Sequence, residues 1–192
     1  NGAPENEYRL KVYHKHTPVP LSDILPILDH MGLRIDSELP YEVKPEDSDT
    51  TIWIHDFFAE PKEGQKIDID AVKERFEDAL LNVWEGRAEN DGLNRLVLNG
   101  GLDWRGVNIV RTYLSYLRQA KFPYSRRYVE TVMNSYPEIT GDIIDLFLLR
   151  SDPARQKNAE KEILKMHDNL LKKLETIAQL DHDRILRGLV HL

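Results

Sequence analysis

Along the chain, apolar and polar positions follow two different periods. Tyr8, Leu10 and Val12 alternate with Arg9, Lys11 and Tyr13, the period of two that predicts a strand over residues 8–14 with one wet face. In TPVPLSDILPILDHMG, residues Ile24, Leu25, Leu28 and Met31 fall on one side of a helix, with Ser22 as its cap and Gly32 as its stop. Pro26 falls in the first turns of that helix, where a missing N–H costs least. Leu33 to Val43 predicts a second strand, interrupted near Pro40, and TIWIHDFFAEP a third, the two forming a hairpin. Val72, Phe76, Leu80 and Val83 then return at helical spacing, with Trp84 beside them and Gly86 at the end.

Beyond Asp103 the period is helical throughout. Val107, Val110, Leu114 and Leu117 make one stripe, and Ser125 caps a helix with Tyr128, Val129, Val132 and Met133. Ile139, Ile143 and Phe147 belong to the next helix, closed by Ser151, Asp152 and Pro153. After Pro153, Ile163, Met166, Leu170, Leu174 and Ile177 recur every three or four residues until Asp181 breaks the stripe, and Asp183 is placed to cap a fresh start. An apolar face that reaches Leu192 without a stop signal predicts that the chain continues in a longer parent.

The expected class is therefore α+β. A β-α-β-β-α module of ferredoxin-like type spans 7–88, an all-α subdomain 89–152, and a long C-terminal helix 153–192. Residues 1–6 are set aside from the folded part. The fourth strand of a complete ferredoxin-like sheet could come only from Leu93 to Leu98, where flanking Asn and Gly favour a short helical turn.

Composition narrows the function classes. With 192 residues, 41% hydrophobic and 31% charged, the chain can bury a sizeable core. Its net charge of −7 opposes unaided nucleic-acid binding, which needs a basic surface. The sequence has no cysteine, so disulfides and thiolate metal sites are excluded and a cytoplasmic location is expected. No apolar run reaches the roughly 18 residues of a membrane span.

Candidate chemistry is sparse. The stretch NDGLNRLVLNGGLDWRG holds four glycines and three asparagines. It matches neither a dinucleotide fingerprint nor a phosphate loop, so Gly92, Gly100 and Gly101 are expected to supply positive φ at helix ends. His14 and His16 flank Lys15 on the first strand, and His55 or Asp56 could add a third metal ligand, but strand-end histidines are commonly just solvated. Asp68 and Asp70 sit ahead of a helix, where the dipole stabilises carboxylates without any catalytic role. No G-x-S-x-G elbow organises a hydrolase.

Trp53, Phe57 and Phe58 on one strand, with Trp84 and Trp104, could stack bases, yet core packing is the plainer role. Tyr113, Tyr116, Tyr124, Tyr128 and Tyr136 suit helix-helix contacts with a polar tip. His30, His167, His182 and His191 are expected at the surface. No catalytic, cofactor-binding or metal residue is assigned.

Four segments, in order, carry a resemblance. PVPLSDILPILDHMGLRIDSELPYEV, TIWIHDFF, ERFEDALLNVWEGRAENDGLNRLVLNGGLDWRGVNIVRTYLSYLRQAKFPYS and DHDRILRGLV together resemble the large bacterial form of NAD-specific glutamate dehydrogenase, over Tyr8 to Leu192. The resemblance implies a very long chain in which ACT-like and helical modules precede a catalytic domain, with this sequence immediately before that domain. It implies oxidation of L-glutamate to 2-oxoglutarate and ammonium by the whole enzyme with hydride passed to NAD, a homo-oligomer, and no cofactor in this segment. No dinucleotide fingerprint or substrate lysine motif is found in these residues.

ACT-type modules usually place a glycine in the turn after strand one, where backbone approaches ligand, and here that turn is HKHTPVPLS. An effector site between Lys15 and Ser22 is therefore not expected, while one assembled between subunits stays open. The segment is expected to be structural or regulatory and non-catalytic, its partner the catalytic domain of the same chain. Two alternatives are an amino-acid effector module and an RNA-binding ferredoxin-like domain.

Overall fold

The computed structural model describes residues 7–46, 49–64, 66–153 and 159–191. The chain divides into two compact units, Asn1–Asn94 and Arg95–Leu192. Residues 1–6, 154–158 and Leu192, which the expectations for both ends of the chain involve, lie outside the described residues.

The first unit runs β1 (Tyr8–Lys15), α1 (Leu21–His30), β2 (Leu33–Val43), β3 (Ile52–Pro61) and α2 (Ile69–Trp84). The sheet order is β1-β3-β2 with both pairs antiparallel. Hence β1 and β2 run the same way on either side of β3, the split β-α-β arrangement. The register sets Leu10 opposite Phe57 and Val12 opposite His55, all on one face. That face is core: Phe57 is buried, as are Ala59 and the α1 and α2 side chains Ile24, Ile27, Leu28, Phe76, Ala79, Leu80 and Val83. Removing each large aliphatic from water contributes about 1.5–3 kcal/mol. The opposite face leaves Tyr13, Leu39, Tyr41 and Val43 exposed.

The structure departs from two local expectations. β2 runs straight through Pro40, which an edge strand tolerates because an outward amide is not needed there. The irregularity lies instead at Asp36, where the register shifts between Ile35 and Ser37. Ser22 does not cap α1; Pro20 precedes the first turn, and the Ser22 hydroxyl donates to Asp23 at 3.0 Å. By contrast, Asp68 caps α2, accepting from the Ala71 amide.

Residues 92–99 form a 3₁₀ turn, Gly92–Arg95, and one turn of helix, α3 (Leu96–Asn99), so among the described residues the sheet has three strands. The second unit continues with α4 (Trp104–Gln119), α5 (Arg126–Ser135) and α6 (Pro137–Ser151). Val107, Val110, Leu114 and Leu117 are all buried, and Asp103 caps α4 through the Gly106 amide at 2.7 Å. Ser125 caps α5 as its position predicts.

The long C-terminal helix is instead two helices, α7 (Glu160–Leu174) and α8 (Leu180–Val190). α7 buries Leu170 and Leu174, whereas α8 buries Ile185, Leu186, Leu189 and Val190. On one straight helix Ile185 would stay within about 20° of Leu174, but Leu186 and Val190 would lie about 120° and 160° around the axis, so the break lets α8 turn its own, wider stripe inward. β-branched Thr176 and Ile177 lie in the break, and the Thr176 hydroxyl donates to the Lys173 carbonyl at 2.7 Å. Asp183 lies inside the first turn of α8 and pairs with Arg187 at 2.8 Å rather than capping. α7 packs on α6, and α8 on α5 and α6.

Candidate functional site

The most organised polar group in the first unit surrounds the turn between β1 and α1. His16 adopts φ 70, and the Thr17 amide donates to the Lys15 carbonyl at 2.9 Å, closing a three-residue turn. A non-glycine residue is strained in that conformation. The turn is held by His14, whose Nδ1–H donates to the Thr17 carbonyl at 2.7 Å, and by the His16 amide donating to Thr51 at 2.8 Å. The glycine missing from HKHTPVPLS is thus replaced by a histidine in the backbone conformation that glycine favours.

Further along, the Val19 amide donates to His55 Nε2 at 2.9 Å. An amide has only a hydrogen to offer, so Nε2 is unprotonated and the ring proton sits on Nδ1. From there it is donated to Glu38 Oε1 at 2.7 Å. His55 is 3% exposed, with its ring stacked on Phe57 at a centroid distance of 6.2 Å. Three elements, the turn, β3 and β2, therefore meet at one neutral imidazole.

The histidines and acid weighed as metal ligands do not converge. His55 and Asp56 are neighbours on β3 and point to opposite faces. Asp56 is buried beneath Arg9, which pairs with it and lies 4.9 Å from the Phe58 ring. The Asp56 bond holds the Arg9 guanidinium above its usual range. Among the described residues no group of three or more His, Asp or Glu could hold a metal ion. The strand aromatics also divide, with Trp53 and Phe57 on the helix-facing side and Phe58 on the other. They do not form one stacking platform.

In the second unit an open groove of 580 Å³ is lined by Asp145, Leu148, Leu149, Glu162 and Met166. Burial, then the charges of Asp142 and Asp103, push the Asp145 carboxyl up. The glycines act structurally: Gly101 has φ 70 at the exit of α3, while Gly92 and Gly100 do not have positive φ. Gly100 serves instead to admit α6, since a Cβ there would meet the Pro137 carbonyl at 3.0 Å.

Several residues differ from their expected environment. His182 is half-buried, 5.8 Å from the Tyr128 ring and 5.6 Å from that of Tyr136, and Tyr124 donates its hydroxyl to Asp181 at 2.7 Å. Tyr113 is buried edge-on to Phe147 at 5.4 Å, but Tyr116 is 54% exposed and Trp84 37%.

An ACT-like α+β module followed in sequence by a helical module is the class of protein these observations define. Residues 1–72 match the family described as glutamate dehydrogenase, ACT3 domain, and residues 88–153 match glutamate dehydrogenase, helical motif 3. The first match includes the six residues set aside on sequence grounds. The chain is 39% identical to an NAD-specific glutamate dehydrogenase of Halomonas elongata over 95% of its length, covering 11% of that relative. It is 37% identical to the one of Pseudomonas aeruginosa over 98% of its length, covering 12%. For that of Mycobacterium tuberculosis the figures are 34%, 90% and 11%. The chain belongs to the NAD-specific glutamate dehydrogenase family, and it spans about a ninth of the length of these relatives.

Proposed function

We propose that the chain is a non-catalytic structural and regulatory segment of an NAD-dependent glutamate dehydrogenase, whose whole polypeptide deaminates L-glutamate to 2-oxoglutarate and ammonium. The observation that carries it is the pairing, in one chain, of an ACT3 domain with helical motif 3. In this reading residues 7–88 and 89–152 are the two modules, 153–192 leads toward the catalytic domain, and that domain of the same chain is the partner. NAD is the cofactor of the whole enzyme and is bound elsewhere, and the enzyme is a cytoplasmic homo-oligomer. The absence of cysteine supports a reducing compartment. No helix among the described residues is long and apolar enough to cross a membrane.

Incubating the chain with glutamate and NAD is expected to yield no NADH absorbance, and turnover would sink the proposal. In the full-length enzyme, deleting the segment is expected to lower activity or disturb assembly, read by NADH formation and light scattering. An unchanged enzyme by both measures would argue against it.

A second reading, binding of an amino-acid effector, is favoured by the strained turn at His16 beside the His55 node. Calorimetric titration with the standard amino acids tests it, and silence across the series removes it.

A further inference from the structure

We propose that His55 is a proton-operated latch: its neutral Nδ1–H form ties the turn after β1 to the sheet through the Val19 amide, and protonation at Nε2 releases that turn. The sequence around the contact explains why one bond matters. Residues 18–20 read Pro-Val-Pro. Neither proline has an N–H, so Val19 carries the only backbone donor of the three. That donor goes to Nε2 at 2.9 Å and to nothing else among the described hydrogen bonds.

Adding a solvent proton to the Nε2 lone pair leaves two N–H groups facing each other. The bond is then lost, because neither group can accept. A buried amide left without an acceptor is unfavourable, so the segment that carries it moves.

The other side of the ring responds in the opposite sense. Glu38 Oε1 keeps its hydrogen bond from Nδ1 at 2.7 Å, and a carboxylate stabilises an imidazolium. The ring therefore stays docked on β2 while the Pro18–Pro20 end of the turn departs.

Charged groups near the ring are few. On the same face β2 adds Glu42, one pair beyond Pro40, and β1 adds His14 beside Val12. The α1 side chains that reach the core, Ile24, Ile27 and Leu28, are apolar. Those of α2 are apolar too, apart from Asn82, which is bound to Asp78 and Arg87. From the turn itself, His16 and Lys15 are exposed. The bonds that hold His16 at φ 70 run to Lys15, His14 and Thr51 and not to His55, so the release concerns the Pro18–Pro20 segment.

The experiment follows the 192-residue chain by NMR, with nitrogen-labelled histidine to report the tautomer and amide exchange to report the latch. At neutral pH His55 is expected to show a protonated Nδ1 and a bare Nε2; the reverse tautomer would overturn the proposal. On acidification, the protection of the Val19 amide, corrected for intrinsic exchange, is expected to fall about tenfold per pH unit once the ring takes up protons. The amides of α1 are expected to hold over the same range.

His55→Gln keeps an acceptor near the Nε2 position and does not titrate, so its Val19 protection is expected to be independent of pH. Glu38→Gln removes the charge that favours the imidazolium and is expected to move release to lower pH. Val19 protection that tracks α1 in the unsubstituted chain, or falls equally in His55→Gln, would show that the latch does not exist. The tautomer measurement stands even if a variant fails to fold.

Discussion

Gly141 of α6 lies directly against the Gly100 carbonyl, so close that a Cβ on Gly141 would sit 2.4 Å from that oxygen. Backbone, not a flexible side chain, occupies the space. Helix propensity alone would make Gly141→Ala stabilising by about 1 kcal/mol at a mid-helix position. The contact makes it overpacking against backbone, costing about 1–3 kcal/mol. We expect a net loss of stability, measured by denaturant unfolding with Trp104 fluorescence as the probe of its unit. A gain would show that α6 does not approach the 99–101 turn so closely.

His16 offers the opposite sign. A non-glycine residue at φ 70 costs about 1–2 kcal/mol, and glycine avoids that cost. Glycine also has more unfolded-state freedom to lose, about 0.5–1 kcal/mol. His16→Gly is therefore expected to stabilise the first unit by about 0.5–1 kcal/mol, seen as a higher unfolding midpoint with an unchanged denaturant slope. His16→Ala keeps the strain and should gain nothing.

These two glycine-sensitive positions show what was legible beforehand. The α4 stripe and the Ser125 cap were readable because cause and effect lie within four residues, whereas Ser22 and Asp183, proposed on the same grounds, do not cap. The same holds for the short helical turn in place of a fourth strand. The His55 node was not, since its partners lie 36 and 17 residues away and meet only once the sheet register is fixed. One signal was available: a lone amide between two prolines requires an acceptor from elsewhere. The break in the C-terminal stripe was legible at Asp181, with a fresh start beyond it, but it falls earlier, between Leu174 and Leu180. His182 was expected at the surface because its tyrosine neighbours come from α5 and from the junction between α5 and α6, out of reach of a local pattern.

Asp103 provides a test of local against tertiary support. Its carboxylate accepts from the Gly106 amide at the start of α4. Loss of such a cap costs about 1 kcal/mol. Asp103→Ala is expected to lower stability by that amount and Asp103→Ser to restore most of it, in the same unfolding assay. Equal losses in both would assign the effect to something other than the cap.

Asp145 ties stability to pH. Its carboxyl is raised in the folded chain by burial first, then by Asp142 and Asp103. Between the unfolded and the folded pKa the native state holds more protons than the unfolded one, so stability falls as pH rises through that window. The penalty is fully present above the folded value and absent below the unfolded one. Asp145→Asn removes it, and is expected to raise the unfolding midpoint at neutral pH by an amount that shrinks to nothing in acid. The effect is small because the desolvation of the carboxyl is incomplete: Asp145 is an exposed residue at the groove, and solvent screens its neighbours. Unfolding curves of both proteins across the acid range check the sign. A gain that grows in acid would mean that the carboxylate is stabilised in the native state rather than repelled by Asp142 and Asp103.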